Sequence, residues 1–240
     1  MKTTIFFFAM LSSLLLMTSC IGYIDNSITG NGDVQTEIRE VGNFKGIEAA
    51  SGLNVFVEFG EFSHDVEVIA DENLHDYIIT EVNDGILKIK SRRNIRRAES
   101  KDVFVKAGDI ESIEVSSAAD FIGENLLVSD DLDIEVSSAG DLDLEVEADE
   151  IIIEVSSSGS AKLKGKTRRL IAEVSSAGNL SAYELIAEEG NIEASSAGDA
   201  RVHVTKKLRA EASSAGSVKY EGDPEERNTE RSSAGSVSGR

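Results

Sequence analysis

The chain has one cysteine, one proline and no tryptophan in 240 residues. A single cysteine, Cys20, rules out an intrachain disulfide framework. Aromatic residues make up only 5% of the chain, which leaves little material for the stacked-ring platforms of a sugar cleft. Three histidines, His64, His75 and His203, have no zinc spacing, and there is no second cysteine to complete a site. No Gly-rich loop joins a strand to a helix as a phosphate cradle would require. Positive charge is also scarce: 24 Lys plus Arg stand against 44 Asp plus Glu, a formal net charge of -20. A phosphate backbone needs a basic surface, so nucleic acid is excluded as a partner. The same excess keeps a protein soluble and attracts cations.

The N-terminus differs from the rest. MKTTIFFFAMLSSLLLMTSC carries Lys2, an apolar run from Ile5 to Met17, then small polar residues before Cys20. That order is an export signal over 1–19, too short and one-sided for a resident membrane span. Cys20 after Met17-Thr18-Ser19 resembles the lipobox of bacterial lipoproteins, although Met17 stands where Leu, Val or Ile is usual. The resemblance implies cleavage before Cys20, lipidation there and a stable membrane anchor. Residues 20–35 are polar and read as a flexible tether, leaving 36–240 as the domain. The single acid at Asp25 leaves surface and periplasmic orientation both open for an outer-membrane protein.

What the domain has in abundance is repetition. EVSSAGD at 135–141 has near-copies beginning at Glu114, Glu154, Glu173, Glu193, Glu211 and Glu230. The intervals are 21, 19, 19, 20, 18 and 19 residues. Around each copy the apolar residues alternate, as in Leu132-Asp133-Ile134-Glu135-Val136 and Leu142-Asp143-Leu144. Period-2 alternation is strand. Strand, corner, strand at this period predicts an all-β parallel β-helix, a single-chain solenoid with coils of ~19–20 residues. Equivalent residues then stack into ladders at ~4.8 Å. Ile113, Ile134, Ile153, Ala172, Ile192, Ala210 and Thr229 form one inward column. Val115, Val136, Val155, Val174, Ala194, Ala212 and Arg231 form another. Both shrink and end polar, predicting a capping last coil. Looser copies begin at Ile47, where Ile47 to Leu53 reads as the repeat with one residue missing. Asp71 to Thr80 reads as a short helix or insertion, and Ser91 to Lys101 as a basic exposed loop. About ten coils are expected in all.

The corner itself needs no ligand. Gly140, Gly159, Gly178, Gly198, Gly216 and Gly235 are expected to supply φ > 0 at the bend, with Ala119 in their place in the first copy. Flanking serines are expected to bond the backbone there. The serines are poor nucleophile candidates, because only His203 lies in the repeat region to act as a base. Two oxygen-rich columns remain unexplained by the bend. The Glu column includes Glu114, Glu135, Glu154 and Glu173, and the column after Gly includes Asp120, Asp141 and Asp199. Outward carboxylates ~4.8 Å apart repel, and calcium is one candidate to offset them.

FKGIEAASGLNVFVEFG at 44–60, VEVIADENLHDYIITEVNDGILKIK at 66–90, the serial SSAG corners and VKYEGDP at 218–224 resemble the putative auto-transporter adhesin head domain, or head GIN domain. The resemblance covers roughly residues 36 to 240, with SSAG where that family usually has Ser-Gly-Ser-Gly. It implies an all-β, β-helix-like envelope lipoprotein with an adhesive role and no catalytic residues. Its expected partners are the membrane, through Cys20, and an envelope protein or glycan. Two alternatives stay open: a polysaccharide-active lyase or hydrolase on the same architecture, and a calcium-binding envelope scaffold.

Overall fold

The computed structural model describes residues 27–240. The export signal, Cys20 and the first part of the tether lie outside the described residues. The strands are β1 (Ile28–Thr29), β2 (Val34–Glu40), β3 (Gly46–Ala49), β4 (Asn54–Phe59) and β5 (Asp65–Asp71). A 3-10 turn at Glu72–Leu74 leads to β6 (Ile78–Asn83), β7 (Ile86–Ser91), β8 (Ile95–Arg97) and β9 (Lys101–Ala107). Then follow β10 (Ser112–Val115), β11 (Asp120–Gly123), β12 (Leu127–Val136), β13 (Asp141–Val155), β14 (Ser160–Val174), β15 (Asn179–Ala194), β16 (Asp199–Ala212), β17 (Ser217–Glu221), β18 (Glu226–Arg231) and β19 (Ser236–Gly239).

From Ser112 to Gly239 the chain winds in sequence order through about seven parallel turns of a β-solenoid. The register follows the columns: Ile113 pairs with Ile134, Ile134 with Ile153, Ile153 with Ala172, and so on to Thr229. Both inward columns are buried until the last coil, where every residue of β18 is exposed. The polar end expected from Thr229 and Arg231 is therefore present.

The N-terminal third departs from simple stacking. The β3–β4 coil lies in register against β10 and β11 on one side. On its other side lie β7 and β9, which come later in the chain. Among the described residues nine rungs result, rather than the ten expected, and at ~4.8 Å per rung they span roughly 38 Å. β5 and β6 pair antiparallel with β9 and β7 and cover the two strands at this end. The turn between β6 and β7 is Asp84-Gly85, both at positive φ, a two-residue hairpin whose signal was in the sequence. The segment expected to be a helix or insertion is thus a 3-10 turn followed by a hairpin strand. The expected exposed loop contains β8, which pairs with β1, and Arg93 sits over the Tyr77 ring at 4.9 Å. The C-terminal part of the expected tether is likewise built in, as β1 and β2.

The corners hold for a different reason from the expected one. In each, the second Ser and the residue after it take positive φ, for example Ser138 at 51° and Ala139 at 60°, with Ser158 in the place of Ala in one copy, while none of the six corner glycines does. Gly140 N–H donates to Ser137 O at 2.9 Å, closing a turn of the I′ kind. Glycine is needed because the preceding coil is close. A Cβ on Gly140 would stand 2.7 Å from Val115 O, and on Gly178 2.4 Å from Val155 O. Residues 47–53 have the full corner length, with Leu53 in the place of Ala119 and glycine, so no residue is missing. The hydroxyls of the SSAG-type corners make no hydrogen bond among the described residues, whereas Ser51 Oγ in the 47–53 corner donates to Ser91 O at 3.4 Å; the backbone satisfies itself from coil to coil, as in Ala139 N–H to Ser157 O at 3.1 Å. Hydroxyls serve the opposite bend instead. Ser129 Oγ donates to Ile110 O, Thr167 Oγ1 to Asp149 O and Thr205 Oγ1 to Ala187 O.

Candidate ligand-binding face

The outward side chains of β3, β10, β12 and the later turns build one acidic face. Glutamate occupies eight successive rungs in register: Glu48, Glu114, Glu135, Glu154, Glu173, Glu193, Glu211 and Glu230. Glu48 extends the column that the sequence repeat began at Glu114. Its signal was present, but the flanking Ala49 and Ala50 blur the motif. Lys88 occupies the next rung and sits 2.9 Å from Glu48, with Lys90 at 3.7 Å. At the far end Arg209 pairs with Glu211. Between these ends Glu135, Glu154, Glu173 and Glu193 have no ion-pair partner among the described residues.

Repulsion along the column is visible at Glu114. Burial pushes its carboxyl up, and the carboxylates of Glu48 and Glu135 on either side add to that. A raised acid favours the protonated form in the fold. Its unfavourable contribution therefore grows as pH rises through the carboxylate range and is relieved in acid. Replacing Glu154 by Gln is expected to raise the melting temperature, because cross-strand like charges cost roughly 0.2–1 kcal/mol per neighbour. The gain should shrink as salt is added and the repulsion is screened. A melting temperature unchanged at low salt would remove repulsion as the dominant effect on this face.

Beside the Glu column run Ser112, Asp133, Ile152, Ile171, Asn191 and Arg209. Ile152 is 40% exposed. Two shallow depressions of about 630 Å³ and 360 Å³ meet here, sharing Asp133 and Ile152. The first is lined also by Lys45, Asp131 and Glu150, and the second by Glu114 and Glu154. Both are open to solvent.

The second oxygen-rich column lies beyond the corner. Asp120 and Asp141 are neighbours, followed by Ser160, Asn179 and Asp199. Asp199 is paired with Arg201 and Lys219, each at 3.2 Å. The corner separates this column from Glu114, Glu135, Glu154 and Glu173. Among the described residues no three His, Cys, Asp or Glu side chains converge as a metal ion would require. His64 Nδ1 meets Val41 O at 2.8 Å, and His75 lies between Glu37 and Gln35 O. His203 stands in β16 in register with Glu221. None of the three hydrogen-bonds a corner serine.

A family model described as "Putative auto-transporter adhesin, head GIN domain" matches residues 43–224. No curated protein matches the chain. Among solved structures, a putative adhesin from Bacteroides fragilis is similar with a TM-score of 0.80 at 22% identity, over 89% of this chain and 100% of that one. A putative adhesin from Parabacteroides distasonis gives 0.72 at 22%, over 89% and 100%. A putative lipid binding protein from Parabacteroides distasonis gives 0.71 at 20%, over 89% and 99%. At these identities the likeness concerns the fold.

Proposed function

The chain belongs to the putative auto-transporter adhesin head GIN domain family, and from that premise we propose that it is a non-enzymatic, adhesin-like binding scaffold of the cell envelope, held to a membrane by lipid at Cys20. No helix among the described residues is long and apolar enough to cross a membrane. One observation carries the binding reading. Eight glutamates stand in register on a flat face, and among the described residues positive partners offset them only at its two ends. A repeating row of charge with no deep cleft suits an extended, cationic partner that crosses many coils, better than it suits a substrate that must be enclosed.

The test compares Glu135→Gln/Glu154→Gln/Glu173→Gln with a charge-matched control, Glu145→Gln/Glu188→Gln/Glu189→Gln, for binding to isolated envelope fractions. The ladder variant should lose binding roughly tenfold or more while the control stays near wild type. Equal loss in both would reduce the face to bulk charge, and no loss in either would sink the reading. Anchoring is tested separately. Cys20→Ala should move the protein from the membrane pellet to the soluble fraction; a variant still in the pellet after a high-salt wash is not lipid-anchored there.

A further inference from the structure

β2 is an open edge. Among the described residues it pairs only with β5, and all of Val34–Glu40 except Arg39 is exposed. Val41 N–H donates to His64 O and Glu72 N–H to Asp33 O, at the two ends of this pairing. Odd-numbered residues therefore exchange hydrogen bonds with β5, and the N–H and C=O groups of Val34, Thr36, Ile38 and Glu40 face outward from the sheet edge. Side chains alternate too. Glu37 and Arg39 turn inward to His75 and to the carbonyls of His75 and Ile78. Val34 and Ile38 turn to solvent, 41% and 57% exposed. An exposed edge strand with apolar side chains is a template for another strand.

We propose that this edge pairs with its own counterpart in a second copy of the chain, antiparallel and centred on Thr36, to form a two-fold dimer. The sequence VQTEIRE selects that register. A two-fold axis normal to the sheet keeps outward residues opposite outward residues, so the paired numbers must sum to an even value. Centring on Thr36 sets Val34 of one copy opposite Ile38 of the other, Thr36 opposite Thr36, and Asp33 opposite Arg39. Apolar meets apolar, and no like charges come opposite each other. The three outward-facing pairs supply about six backbone hydrogen bonds. Shifting the centre to Glu37 puts Glu37 against Glu37 and Val34 against Glu40. The exposed row continues inward from Ile38 through Glu67 to Phe104 and Phe56, whose rings stack at 4.9 Å. Pairing therefore joins two half-exposed apolar rows across one continuous sheet. The proposal does not depend on the Glu face or on Cys20.

The test uses the full chain carrying Cys20→Ser, so that any introduced thiol is the only one, purified in mild detergent. Sedimentation from about 1 to about 100 µM should show a monomer–dimer equilibrium. Thr36→Pro removes an N–H that faces outward and leaves the β5 ladder intact, and it should weaken the dimer at least ~10-fold. Thr36→Cys places two thiols on the axis, in a hydrogen-bonded pair whose ~5.5 Å Cα separation suits a disulfide. It should oxidise to a covalent dimer. Glu40→Cys should not, because in this register it lies roughly 26 Å from its counterpart. A monomer throughout the range overturns the proposal, whether the edge is bare or covered by another segment. So does a dimer that ignores Thr36→Pro, or Thr36→Cys that cross-links no faster than Glu40→Cys.

Discussion

Gly178→Ala is expected to destabilise the protein by about 3 kcal/mol, the upper range for forcing an extra methyl into a packed site. Three features set that size. The new Cβ would lie 2.4 Å from Val155 O and 2.8 Å from Val155 C, both backbone atoms of the neighbouring coil. Those atoms cannot swing aside, because Val155 O also accepts the Ser175 N–H at 2.9 Å. Coils continue on both sides, so relief at one rung disturbs the next. At the chain end the geometry looks worse and the result should be milder. A Cβ on Gly235 would stand 2.1 Å from Ala212 O. Yet β18 and β19 end the stack with nothing packed beyond them among the described residues, so that corner can lift away. Thermal melts of both variants check the contrast, with Gly178→Ala shifted down by roughly 6–12 °C and Gly235→Ala by much less. A companion change should act in reverse. Ala177 takes φ of 60°, which costs an L-residue about 1 kcal/mol, so Ala177→Gly should be neutral to mildly stabilising. If Gly178→Ala melts like wild type, close approach does not explain the corner glycines, and their recurrence calls for a ligand instead.

That contrast also marks what the sequence could convey. The inward columns from Ile113 and Val115 were legible because burial imposes period 2 within a strand and stacking repeats it every coil. The corners were legible as corners, but the reason for Gly140 or Gly178 was not. Glycine answers both to positive φ and to lack of room, and only the folded geometry separates the two. Here the strained φ falls on Ser and Ala, against their local preference, because coil-to-coil bonds such as Ala177 N–H to Ser196 O hold the turn in place. The stacking order at the N-terminal end was hidden for a different reason. Alternation in β7 and β9 shows which side chains point inward, but not that these strands stack outside β3 and β4. The acidic face was half visible. The column from Glu114 followed from the repeat, whereas its terminal cation, Lys88, lies 40 residues beyond Glu48 and belongs to no repeat. Asp71 gave no signal at all, being one acid among 44.

Asp71 carries the second large expectation. Its side chain is fully buried, and three backbone N–H groups converge on its carboxylate. Gly32 donates to Oδ2 at 2.8 Å, and Glu99 and Ser100 each to Oδ1 at 3.0 Å. One carboxylate thus clasps the start of the described chain to the segment between β8 and β9. The approach is tight enough that a Cβ on Gly30 would fall 2.0 Å from Oδ2. Burial pushes the Asp71 carboxyl up, but the N–H donors of Ser100, Gly32 and Glu99 outweigh it and hold it below the usual Asp value. The unfolded chain therefore binds this proton more readily than the fold does. The clasp contributes fully above the ordinary Asp range and is lost as pH falls through the lowered folded value. Glu114 has the opposite sign, so acid weakens the clasp while relieving the Glu column. Asp71→Ala leaves three buried donors without an acceptor and should cost about 3 kcal/mol. Asp71→Asn is the sharper variant. Its carbonyl can keep Glu99 and Ser100, but its amide then meets the Gly32 N–H donor to donor, and about 2 kcal/mol should be lost near neutral pH. Because Asn does not titrate, the loss should narrow as pH falls and wild type releases its own clasp. Urea melts of both proteins from neutral to acid pH measure that convergence. A constant gap at every pH would mean that packing, and not the charged clasp, makes Asp71 matter.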